Sequence, residues 1–205
     1  MKKEIKMALI FLGVILLIVG IIGGIIVGLN SKSTEKDIGK IETINNIETI
    51  NNIDDFYNCE ITKDYTDIRN LDKDYDKSQA QKDNCFVLGA MVHNEDRHIE
   101  FTNNYNEKKS AFIRVAQITT EGDLFLIDIL YNASQDKIYI VKDDTRDEFS
   151  ALEDRTIKFK TYEKTGIWNY QNEKYWVAYN GELPDGTIAE YSIDPDNLFI
   201  IAMFP

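Results

Sequence analysis

The chain has 205 residues, 43% of them hydrophobic and 28% charged, with a formal net charge of −12. A surface of that sign repels nucleic acid and anionic polymers and suits cations, basic partners or simple solubility. Two cysteines are too few for a disulfide framework, and His93 and His98 fall in no zinc-ligand spacing and read as ordinary surface or strand-end positions.

The amino end supplies the strongest signal. Residues 7–29, MALIFLGVILLIVGIIGGIIVGL, carry no charge, which meets the length rule for a bilayer-spanning helix. The run is longer than a secretory h-region and ends without a small-residue cleavage pattern, so it reads as an uncleaved signal anchor. Lys2, Lys3 and Lys6 precede it with only Glu4 to offset them, which places residues 1–6 in the cytoplasm and the rest outside, as a single-pass cell-membrane protein. Gly20, Gly24 and Gly28 share one helix face and offer close approach to a second copy, a homodimer through the anchor. Glycine is also simply common in membrane helices.

Next comes the tandem hexapeptide IETINN over residues 41–46 and 47–52. Its Ile recurs every third residue, so on a helix the isoleucines spiral instead of forming a stripe, and no 3.5-residue period supports a coiled coil. Residues 30–57 are therefore expected to form a flexible stalk, and residues 58–205 a single extracellular domain. Asp72, Asp74 and Asp76 open like a calcium loop, but Lys77 stands where that loop needs glycine. A short helix from Lys77 to Lys82 with Asp76 as its N-cap fits better.

From Cys85 to Val92 the chain is nearly continuously apolar and reads as a strand; Asp96 to Lys109 reads as a helix. Three apolar segments follow, Ala111 to Thr120, Leu124 to Asn132 and Lys137 to Asp143, joined by turn-like connectors that predict successive antiparallel hairpins. Thr156 to Thr161 alternates as a half-exposed strand does. Further strands are expected at Gly166 to Tyr170, Tyr175 to Tyr179, Thr187 to Ile193 and Leu198 to Phe204. The expected fold class is α+β, an antiparallel β-sheet with one or two helices on a face, preceded by a transmembrane helix and a stalk. The Tyr and Trp residues from Tyr162 to Tyr191 follow strand alternation and read as sheet core, with a carbohydrate- or peptide-binding face as the alternative.

The segment from Phe112 to Asp123, followed by Asp128, Tyr131, Asp144 to Asp147 and Phe149, resembles the signature of domain-of-unknown-function family 4362, found in lipoproteins and surface proteins of low-GC Gram-positive bacteria. Asp74 to Ala80 and Val87 to Asn94 fit it as well, and the resemblance spans roughly residues 74 to 163. It implies a surface location and brings no activity. The chain departs from the pattern at Leu124, where members often have Pro, in lacking a cysteine near Tyr162, and in its aromatic-rich extension.

Candidate chemistry is sparse. There is no Ser-His-Asp set, Gly-rich phosphate loop, H-E-x-x-H or paired Cys motif. The Asn132-Ala-Ser134 sequon is a chance pattern if the host is bacterial. Cys59 and Cys85 either pair, which chain entropy values at about 3 kcal/mol, or remain thiols. If the first hairpin turns on Gly122, Ala116 opposes Asp128 and Arg114 lies diagonal to Asp128, within salt-bridge reach. If the second is centred between Ser134 and Gln135, Leu124 opposes Thr145, and Glu121, Asp123, Asp143, Asp144 and Asp147 gather at one sheet end with Arg146 as the only nearby cation. Two devices would neutralise them: Arg146 folding onto Glu121 or Asp123 as a bidentate latch, or a bound Ca²⁺. The functional expectation is a membrane-anchored extracellular binding or envelope accessory module without catalysis and without a resident cofactor; the alternative is a carboxylate-dependent cell-surface hydrolase.

Overall fold

The computed structural model of the protein describes residues 49–148, 151–183, 194 and 196–204. The anchor at 7–29, the glycine stripe, most of the hexapeptide repeat and the strand expected at Thr187 to Ile193 lie outside the described residues. Among the described residues no helix is long and apolar enough to cross a membrane.

The folded unit begins earlier than the expected boundary at residue 58. Helix α1, Ile53–Asn58, is capped by the Asn52 side chain, which accepts from the Asp55 N–H. Ile50 of the second hexapeptide, Phe56 and Tyr57 are buried. The end of the expected stalk thus belongs to the folded unit, because Ile50, Phe56 and Tyr57 cover one face of a sheet with Ile53 packed against them. A 3₁₀ turn, Ile68–Asn70, buries Ile68 on the same face. Helix α2, Lys77–Lys82, has Asp76 as its N-cap, its carboxylate accepting from Gln79 N at 2.8 Å. It ends in a Schellman motif. Cys85 N donates to the Ala80 carbonyl and Asn84 N to the Gln81 carbonyl, with Asn84 in the left-handed region at φ 60°.

Strand β1, Phe86–Leu88, is followed by helix α3, Glu95–Asn106, and then by β2, Ala111–Ile118, β3, Leu124–Asn132, β4, Lys137–Asp143, and β5, Ile157–Tyr162. These strands form one sheet in the order β1-β2-β3-β4-β5. β1 pairs with β2 in parallel, Phe86 beside Val115, with α3 as the crossover that parallel pairing needs. The sheet is therefore mixed and not wholly antiparallel, and β1 is shorter than the Cys85–Val92 run because the chain turns back through a Val87–His93 bridge. A second, antiparallel sheet holds β6, Lys164–Tyr170, β7, Glu173–Tyr179, and β8, Leu198–Phe204, in that order. The fold is α+β.

Strands β1 to β4 are buried on both faces, which is why they read as nearly continuous apolar runs, while the edge strand β5 is half-exposed. One face, with Val87, Phe112, Ala116, Leu126, Leu130 and Val141, packs under the amino-terminal helices. The other, with Phe86, Ile113, Ile127, Ile129 and Ile140, packs against Phe101 of α3 and Trp176, Ala178 and Ile201 of the second sheet. Complete burial of a side chain as large as Phe56 or Phe86 contributes about 2–3 kcal/mol. Trp168 and Trp176 are both buried, as sheet-core aromatics should be; the Trp176 indole donates to Thr165 Oγ1 at 2.7 Å.

The two β2–β3 and β3–β4 hairpins set the position of the charged residues. In the second, Asn132 pairs with Lys137 and Leu126 with Asp143, the register expected from a turn centred between Ser134 and Gln135. In the first, Arg114 directly faces Asp128 and Ala116 faces Leu126, two residues away from the Gly122-centred register. The cause lies in the turn. Gly122 N donates to the Thr119 carbonyl and Thr119 N to the Asp123 carbonyl, so Glu121 is central and Gly122, at φ 101°, supplies the positive-φ residue after a tight turn.

Candidate functional site

Arg114 and Asp128 sit opposite each other on the face that the amino-terminal helices cover. Arg114 Nε donates to Asp128 Oδ1 at 2.6 Å and Nη2 to Oδ2 at 2.6 Å, a bidentate pair. Tyr57 of α1 donates its hydroxyl to Asp128 Oδ2 at 2.6 Å, and Arg114 Nη2 also donates to the Thr66 carbonyl at 2.7 Å. Asp128 is wholly buried and Arg114 nearly so. Burial pulls the Arg114 pKa down, yet the adjacent Asp128 outweighs it and holds the guanidinium more firmly charged than usual. Burial first, then Asp128, pushes the Tyr57 phenol far above its ordinary range. The group ties α1, the segment at Thr66 and two central strands to one point.

The sheet end where Glu121, Asp123, Asp143, Asp144, Arg146 and Asp147 were expected to gather works differently. Arg146 does not reach Glu121 or Asp123. Its Nη1 donates to the carbonyls of Asp72 at 2.7 Å and Lys73 at 3.1 Å, its Nη2 to that of Leu71 at 3.2 Å and its Nε to Asp143 Oδ2 at 3.3 Å, with the guanidinium 5.9 Å from the Tyr75 ring centre. It is a latch, but onto main chain some seventy residues earlier. Nor is it the sole cation nearby: Lys142 at 2.7 Å and Lys158 at 3.7 Å neutralise Asp144.

The remaining acids fasten their own surroundings. Asp143 Oδ1 accepts from Thr145 N at 2.9 Å and Thr145 Oγ1 at 2.5 Å; Asp123 Oδ2 accepts from Glu148 N at 2.8 Å, joining the first turn to the loop after β4. Glu121 accepts from Thr120 Oγ1, and Asp147 N donates to the Asp144 carbonyl. Among the described residues no three His, Cys, Asp or Glu side chains converge as a metal site, so the calcium reading has no converged ligand set. Cys59 and Cys85 are both buried and free, Cys59 Sγ lying 3.1 Å from Thr62 Oγ1 and Cys85 Sγ 3.4 Å from Tyr75 Oη. Burial pushes the Cys85 thiol pKa up, away from a reactive thiolate.

Two features had no counterpart in the sequence reading. A cleft of about 440 Å³ opens beside the buried pair, lined by Asp64, Tyr65, Leu71, Asp83, Arg97 and Phe112 among others, with Arg114 on its wall. Its parts come from four separate stretches of chain, and only the polar–apolar mixture of each was visible. His98, expected at an ordinary surface or strand-end position, is enclosed by Phe86, Trp176 and Phe204, with ring centres 5.3, 4.6 and 5.1 Å away. Its Nε2 is buried without a hydrogen-bond partner among the described residues, and burial lowers its pKa.

This arrangement defines a mixed-sheet α+β domain whose central charges are structural and which carries a polar cleft beside them. Residues 82–175 match the family model described as Domain of unknown function (DUF4362), which spans the core of that domain from the end of α2 into β7 and agrees with the resemblance drawn from the sequence. No curated protein and no solved structure matches the chain.

Proposed function

We propose that the protein is a single-pass membrane protein, its amino end cytoplasmic, that displays this α+β domain outside the cell as a non-enzymatic binding or envelope accessory module. The uncharged run at 7–29 and the lysines before it support the topology. One observation carries the non-enzymatic part: Asp123, Asp143 and Asp144, the carboxylates a hydrolase would draw on, are spent on holding a loop N–H, a threonine with an arginine, and two lysines. A general acid needs a carboxyl with a raised pKa in a cleft, and none of the three lines the cleft beside Arg114.

Treating intact cells with an added protease and fractionating the lysate tests the reading. Full-size protein in the membrane fraction that disappears on external proteolysis is expected. A shortened soluble form, or protection from the protease, would overturn the proposed topology.

A further inference from the structure

The cleft beside the buried pair carries unused hydrogen-bonding capacity of both signs. Arg114 spends Nε and Nη2 on Asp128 and Thr66, and among the described residues nothing accepts from its Nη1. Arg97 has Glu100 as its only side-chain acceptor among the described residues, and its Nε has none. Asp64 is exposed and its carboxylate accepts no hydrogen bond among them, while Asp83 accepts from Gln79 Nε2 at 2.7 Å. Leu71, Tyr65 and Phe112 add an apolar wall, the Tyr65 and Phe112 rings lying 4.1 Å apart centre to centre.

Guanidiniums and carboxylates that line one small cleft select against ligands of a single charge. A plain anion meets the carboxylates of Asp64 and Asp83, and a plain cation meets the guanidiniums of Arg97 and Arg114, so each is repelled by one pair as well as attracted by the other. A ligand with an ammonium and a carboxylate a few atoms apart meets both complements, and an apolar side chain on it would reach the wall. A cleft of about 440 Å³ lies in the size range of small-molecule sites. The geometry points to a zwitterionic amino acid or short peptide as the ligand of this cleft, its carboxylate on Arg97 and Arg114 and its ammonium on Asp64 and Asp83. This deepens the binding-module reading and rests on it.

Calorimetry on the full chain in detergent micelles tests the assignment with three probes: glycyl-leucine, its N-acetyl derivative and its carboxamide. The free dipeptide should bind, and each capped form at least tenfold more weakly. Asp64→Asn should weaken the free dipeptide about tenfold and leave the N-acetyl form unchanged; Arg97→Gln should do the same for the free dipeptide and leave the carboxamide unchanged. Both variants should melt with the parent, which shows that they fold. A carboxamide that binds as well as the free dipeptide would make this a cation site, an N-acetyl form that binds as well would make it an anion site, and no heat from any probe would leave no site at all; each overturns the inference. If the domain is exterior but silent to all three probes, the inference falls and the topology stands. If the dipeptide binds but the domain is not exterior, the reverse holds.

Discussion

The centre of the five-stranded sheet and its end near Arg146 both contain arginine beside carboxylates, and they solve the problem of charge in opposite ways. At the centre, strand register alone puts Arg114 opposite Asp128, and burial makes the pair depend on near-complete hydrogen bonding through Tyr57 and Thr66. At the end, Asp143 and Asp144 are buried too, but their charge is spread over separate donors, Thr145 and two lysines, while Arg146 keeps one contact with Asp143 and gives the rest of its hydrogen bonds to main-chain carbonyls. Proximity in sequence therefore does not make a cluster of acids into a site. What matters is whether their oxygens remain free after the loops have been fastened.

The contrast can be broken hardest at the centre. Arg114→Ala leaves Asp128 charged and buried without its partner, and a loss of about 3–5 kcal/mol is expected, read as unfolding at a much lower urea concentration. Arg114→Met combined with Asp128→Leu should recover much of that loss, because no orphan charge remains. If the single variant costs under about 1 kcal/mol, the pair is not the strut described above.

At the sheet end a smaller effect is expected. Arg146→Ala strands three carbonyls and one oxygen of Asp143, a cost of about 2 kcal/mol, with faster amide exchange concentrated in residues 71–75. Uniform exchange throughout the domain would show that the latch has no local role. Gly122→Ala should cost about 1 kcal/mol by denaturant titration, since φ 101° strains any side chain although the space around it is open.

The smallest effect belongs to His98. Burial lowers its pKa in the fold, so its stabilising contribution is complete above the unfolded value near 6.5 and is lost as pH falls through the lower folded value. Melting temperature should drop by a few degrees between pH 7 and pH 5, and His98→Phe should flatten that part of the profile. A drop of equal size in the variant would assign it to other groups.

Much of this fold was legible in the chain because local chemistry decided it. Asp76 caps α2 as a short acceptor side chain before a helical stretch should, and the turn after Asn132 fixes the β3–β4 register. The first hairpin was misread by two residues because Gly122 marks the positive-φ position of its turn and not the centre. Parallel pairing of β1 left no trace, since a three-residue apolar strand reads the same beside either neighbour. α1 was hidden by the threefold isoleucine spacing, and its partner is a sheet face rather than its own sequence. The Arg146 partners are backbone carbonyls, which carry no side-chain code, and the cleft assembles from four stretches that only the tertiary fold brings together.

The claim that the sheet-end charges fasten the fold rather than bind an ion is tested most directly by calcium titration of the full chain, following its melting temperature, in the parent, in Arg146→Ala and in an Asp123→Ala, Asp144→Ala double variant. No calcium-dependent shift is expected in any of the three, and a clearly lower melting temperature is expected for Arg146→Ala. A rise with calcium in the parent that vanishes in the double variant, alongside an unchanged Arg146→Ala, would contradict the claim.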